Sequence, residues 1–156
     1  MHTGIDPEAQ PEIDHQQLVE VIGDAVIASD PGGAITLWNP AAERIFGFTR
    51  AEALGQSLDL IIPERHRKSH WDGYHKTMET GQTRYATDVL RVPAMDKEGR
   101  TLSIAFTVGL LYSAQKQVTG IVAVVREETK RFNEERDLRK RLAELQAATV
   151  QGDAPK

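Results

Sequence analysis

The chain has 156 residues and 40% hydrophobic content, enough for one domain with a proper core and too few for two full ones. Its 19 lysines and arginines stand against 23 aspartates and glutamates, a formal net charge of -4, so no basic surface argues for nucleic acid as a partner. The absence of cysteine excludes disulfides, thiolate-held iron or zinc and cysteine nucleophiles together, leaving His and carboxylates as the available metal ligands.

The opening MHTGIDPEAQPEID is polar and acidic with no apolar segment, and no later stretch approaches a membrane span. A soluble, cytoplasmic protein is expected, with residues 1–11 as a flexible tail. Apolar Ile13, Leu18, Val19, Val21 and Ile22 predict a short amphipathic cap helix over 12–23, ending near Gly23. Two β-prone runs, 25–30 and 34–39, flank Pro31-Gly32-Gly33 and predict a hairpin. Pro40 then opens a helix that Gly47 stops, a second short helix ends at Gly55, and Pro63 opens a long helix closed by Gly81. Gly73 inside that helix costs about 1 kcal/mol relative to alanine, which predicts a close backbone approach there. Three strands are expected at 83–93, 100–112 and 118–127, with Pro93 marking an edge or a bulge.

Two strands, several helices and three strands predict an α+β domain over 24–128, its five-stranded antiparallel sheet carrying the helices on one face. The charged segment over 129–147 places Leu138, Leu142 and Leu145 at coiled-coil spacing. So short a seam requires support, from a partner helix or from packing on its own domain. Residues 148–156 are expected to fray. No phosphate loop, HExxH, GxSxG or kinase signature is present, so turnover is not expected from this chain.

The text from Leu18 to Thr129 resembles a PAS domain of the S-box kind. Asp30, Gly33, Asn39, Ala42, Phe46, Gly47, Glu52 and Gly55 fall where that pattern has its marked positions, and Glu127-Glu128-Thr129 stands where its last strand ends. The resemblance implies a sensor fold with a space between helices and sheet. Asn39 reads as a structural residue of a strand-to-helix corner. Without a thiol, the flavin adduct of the light-oxygen-voltage subclass is excluded.

A narrower similarity is to the haem-PAS domain of rhizobial oxygen-sensing kinases of the FixL type. Pro63-Glu64-Arg65-His66-Arg67-Lys68-Ser69-His70 reproduces the spacing that ends on that family's iron-ligating histidine, and Tyr74 follows. The resemblance implies b-type haem held by His70, with Lys76 and Arg84 near the propionates and Phe106 and Val108 as apolar distal residues. The family's distal arginine falls on Leu90. Arg91, one residue along a strand, points to the opposite face and does not replace it. An apolar distal side favours CO, NO or redox state at least as much as O₂ as the signal.

Other readings stand beside haem. Trp71, Tyr74 and Met78 share a helix face and fill a core in a cofactor-free dimerisation or interaction module; flavin or another small ligand is a further option. His66 and His70, one turn apart, can share a metal only with further ligands, and both project to one side, so they cannot hold one iron from opposite faces. His75 reads as solvated, and His2 and His15 as incidental. In the expected scheme, the cap helix and the leucine helix mediate a homodimer, and a histidine kinase or cyclase is the effector.

Overall fold

The computed structural model describes residues 11–152. All of the expected N-terminal tail but Pro11, and residues 153–156, lie outside the described residues. Helix α1 (His15–Val21) leads into β1 (Ala25–Ser29) and β2 (Ile35–Trp38), followed by α2 (Pro40–Phe46) and α3 (Arg50–Ala53). A 3₁₀ turn (Leu58–Ile61) precedes the long α4 (Glu64–Thr80), and a second (Arg84–Ala86) precedes β3 (Leu90–Met95). Strands β4 (Thr101–Tyr112) and β5 (Val118–Glu127) run into α5 (Thr129–Gly152).

The sheet is antiparallel throughout, in the order β2-β1-β5-β4-β3. Each local hairpin joins neighbours in sequence, and the β1–β5 pairing then closes the first and last strands side by side. The class is the α+β arrangement that the element order predicts. Pro93 sits in β3, an edge strand, where a missing N–H costs no ladder bond on the open side.

Local chemistry explains the boundaries. Asp14 accepts hydrogen bonds from the Gln16 and Gln17 amides, so α1 starts later than expected and is only seven residues long. Asn39 caps α2, and Gly47 ends it at a φ of 81°, a left-handed conformation suited to glycine. Thr49 and Glu52 cap α3 reciprocally. The strand expected from Thr83 begins only at Leu90. The Thr83 hydroxyl instead accepts from the Tyr85 amide and turns the chain into the 3₁₀ segment.

Alternation along the strands defines an inner face. Ala25 and Ile27 of β1, Ile104 of β4 and Val125 of β5 enter one core with Ile35, Trp38, Ala42, Phe46, Ala53 and Ile61. The Trp38 indole donates to the Phe48 carbonyl at 3.0 Å while its ring lies 5.6 Å from that of Phe46. This core sits at the α2–α3 end of the sheet. Toward the other end the inner-face residues Val108, Leu110, Ile121 and Ala123 are only half-buried.

Helix α5 continues through Gly152, past the expected end at 147, where fraying had been anticipated. Leu138, Leu142 and Leu145 are 62%, 56% and 67% exposed, so the helix does not pack its leucines on its own domain. No described helix is long and apolar enough to cross a membrane.

Candidate functional site

Helix α4 faces the half-buried end of the sheet and is held there by a few directional contacts. The Tyr74 hydroxyl donates to the Asp30 carbonyl and accepts from the Ser29 hydroxyl at 2.9 Å, tying α4 to the end of β1. Burial raises the Tyr74 phenol above its ordinary pKa, although the Ser29 hydrogen bond acts the other way. The Trp71 indole donates to Asp59 Oδ1 at 2.8 Å, and Arg67 Nε donates to the Ile62 carbonyl at 3.1 Å. At the far end the Tyr112 hydroxyl donates to the Gly81 carbonyl at 3.2 Å.

Gly33 is where the turn between β1 and β2 meets this helix. Its φ is 88°, and a Cβ there would run into the Trp71 ring, so both backbone and contact require glycine. The close approach expected at Gly73 is absent: a Cβ there would meet nothing within 4 Å.

His70 occupies the middle of the α4 face. Its ring meets Trp71 edge-on, with centroids 4.7 Å apart, and lies 5.8 Å from the Tyr74 ring. Its Nδ1 is buried without a hydrogen-bond partner. Leaving a buried polar atom unpaired costs about 1–3 kcal/mol. Burial pushes the imidazole below its ordinary pKa of 6.5, against the charge of Asp59 and with help from His75. At neutral pH the ring is therefore uncharged, the state that coordinates a metal.

The other residues singled out in sequence do not gather in one place. Leu90 pairs with Phe106 across β3 and β4, and Val108 pairs with Ala123 across β4 and β5, so all three belong to the inner face. Lys76 and Arg84 are exposed; the Arg84 guanidinium donates to the Tyr85 hydroxyl at 2.7 Å and lies 5.0 Å above its ring. Arg91 faces outward as its register demands and pairs with Glu128 at 3.5 Å. His66 Nε2 accepts from Arg65, and no cluster of three or more metal-capable side chains exists among the described residues. His75 is exposed yet stacks on Trp71.

Asn39 carries out the corner role expected of it. Its carbonyl oxygen accepts from the Val26 amide at 2.9 Å and the Ala42 amide at 3.0 Å, and its NH₂ donates to Val19 and Asp24 carbonyls. Sequence reasoning missed Ser29, Asp59, Leu110 and Ile121. The last two were accessible, since period-2 alternation carries the Val108 and Ala123 face onto them; the polar pair emerges only when α4 docks.

A family model described as PAS fold matches residues 14–127. The chain belongs to the PAS family. Among curated relatives, the sensor protein FixL of Bradyrhizobium diazoefficiens is 30% identical over 137 residues, which cover 86% of this chain and 26% of that protein. The signal transduction histidine-protein kinase AtoS of Escherichia coli is 25% identical, with 87% of this chain and 21% of that protein covered. This PAS chain thus spans about a quarter or less of the length of these relatives. Among solved structures, a PAS domain from Colwellia psychrerythraea superposes with a TM-score of 0.66 at 19% identity, covering 74% of this chain and 95% of that one. An RNA-binding light-oxygen-voltage receptor gives 0.69 at 17% identity, covering 92% of this chain and 40% of that one. These structural likenesses establish the fold alone.

Proposed function

We propose that this PAS domain is a cytoplasmic sensor that binds b-type haem through His70 and responds to a diatomic gas or to the redox state of the iron. The observation that carries the reading is the His70 ring: its buried, unpartnered nitrogen and suppressed protonation suit a ligand atom, and the helix bearing it faces an apolar, half-buried sheet. The residues present therefore fit the group. Haem would supply an iron that takes up a gas or an electron.

The remaining roles belong to side chains of this chain. Lys76 and Arg84, both exposed cations, suit the propionates, with Arg84 reaching them once released from Tyr85. Leu90, Phe106 and Val108 provide an apolar wall without a hydrogen-bond donor, which favours CO, NO or redox sensing over tight O₂ binding. Tyr74, its hydroxyl already engaged by Ser29 and Asp30, positions the turn that carries His70. The chain itself performs no turnover. Its output passes from β5 directly into α5, whose exposed leucines, with the exposed Leu18 and Val21 of α1, suit a homodimer that drives a histidine kinase or cyclase.

An absorption spectrum of protein expressed with haem precursor, beside His70→Ala, tests the reading. A Soret band at one haem per chain that collapses in the variant supports it, and Leu90→Arg is then expected to slow O₂ dissociation. A colourless protein that ignores added haemin refutes it and leaves dimerisation or another small ligand as the function. A band retained in His70→Ala refutes His70 as the ligand.

A further inference from the structure

Beyond Asn133, every residue of α5 through Val150 is exposed, so within one chain the contacts that orient this helix gather in its first two turns. Three contacts hold the first turn. The Glu128 amide donates to the Ser103 carbonyl at 2.7 Å, the Thr129 hydroxyl accepts from the Ser103 amide at 3.0 Å, and Glu127 caps the Thr129 amide at 2.7 Å. Backbone and side chain together thus prolong the β4–β5 ladder by one step onto Ser103.

Glu128 adds a contact of a different kind. Its side chain is 15% exposed, and its two oxygens meet two guanidiniums, Arg91 of β3 at 3.5 Å and Arg131 of α5 at 3.6 Å. Ser103 lies opposite Pro93, and Arg91 lies opposite Ala105, so the Arg91–Glu128 pair reaches across β4 on the outer face of the sheet. Arg131 also pairs with Glu135 at 3.1 Å, which keeps it within α5 if Glu128 lets go. Arg91 is therefore the side chain that connects the edge strand to the start of the helix, and its neighbour Leu90 is on the inner face beside Phe106.

We propose that the Arg91–Glu128 pair is a latch through which edge strand β3, and not only β5, sets the direction of α5. Movement of β3 shifts the Arg91 guanidinium with the backbone and pulls on Glu128, the residue at which strand gives way to helix. A strand whose inner side chain meets the ligand space and whose outer side chain grips the helix joins the two by one backbone step. The latch is a property of the apoprotein and holds whether or not haem fills that space.

The lack of native cysteine makes the test direct. Spin labels on Ala114→Cys in the β4–β5 turn and Ala143→Cys on α5, in full-length chains diluted into unlabelled protein, report the angle of the helix by dipolar distance. The intact latch is expected to give one narrow distribution; Arg91→Ala and Glu128→Gln broaden it, Arg91→Glu displaces it further, and Arg91→Lys and Arg131→Ala leave it narrow. Amide exchange across β4 serves as the folding control and stays at the wild-type level in each variant. A wild-type distribution in both Arg91→Ala and Arg91→Glu overturns the latch, as does an Arg131→Ala effect equal to that of Glu128→Gln. Broadening accompanied by lost β4 protection in every Arg91 variant, lysine included, overturns it too, because the residue then only holds the sheet together.

Discussion

Replacing Asn39 by alanine removes four hydrogen bonds at the corner where β2 becomes α2. The side chain is 1% exposed, so no solvent substitutes for what it gave. The Ala42 amide loses its cap, which is worth about 1 kcal/mol. The Val26 amide lies in the sheet with Asn39 Oδ1 as its acceptor, and burying it unpaired costs about 1–3 kcal/mol. The expected loss is about 2–4 kcal/mol, a large share of the roughly 5–15 kcal/mol that stabilises an ordinary domain. Asn39→Ser keeps a capping oxygen but is too short to serve Val26 as well, so it should recover about 1 kcal/mol of the loss. Urea denaturation followed by circular dichroism measures both. Because the same side chain donates to the Val19 and Asp24 carbonyls, amide exchange in α1 should also accelerate. A loss under about 1 kcal/mol in the alanine variant, or a serine variant no better than alanine, would refute the hydrogen-bond accounting.

Gly33→Ala should destabilise by at least about 1 kcal/mol, since the new Cβ meets both an unfavourable φ and the Trp71 ring. Only the part due to the ring is expected to vanish in a Trp71→Phe background, the φ penalty remaining, and equal losses in the two backgrounds, by thermal melting, would show that the contact is unimportant. His70 has a depressed folded pKa, so the unfolded chain binds more protons below about pH 6.5 and stability contributed by the neutral ring falls as pH drops through that window. Denaturation of His70→Phe from pH 7 to 5 is expected to show a shallower decline than wild type; parallel slopes would mean the ring is not held neutral.

Much of this fold was legible because its cues are local. Pro31-Gly32-Gly33 demanded a hairpin, Pro40 and Gly47 bracketed a helix, and β4 and β5 came from period-2 runs joined by short turns, features that need only neighbouring residues to act. Thr83 to Val89 misled because its residues tolerate extended backbone, whereas one Thr83 hydroxyl bond diverts the chain into a 3₁₀ turn. Gly73 misled because a glycine in a helix shows only that a side chain is missing, not that something takes its place.

At the candidate site, sequence by itself determined which residue types are available and that Leu90 and Arg91 take opposite faces of a strand, while the resemblance to the haem-PAS pattern singled out His70 and implied that Leu90 turns inward. Alternation is a covalent consequence of extended backbone, so it holds before any packing is known. Only the tertiary structure decided that α4 docks on β1 through Tyr74, Ser29 and Asp30, burying the His70 nitrogen, and that Arg91 finds Glu128 across an intervening strand. Those pairings join residues tens of positions apart, and their partners become neighbours only when the whole sheet closes.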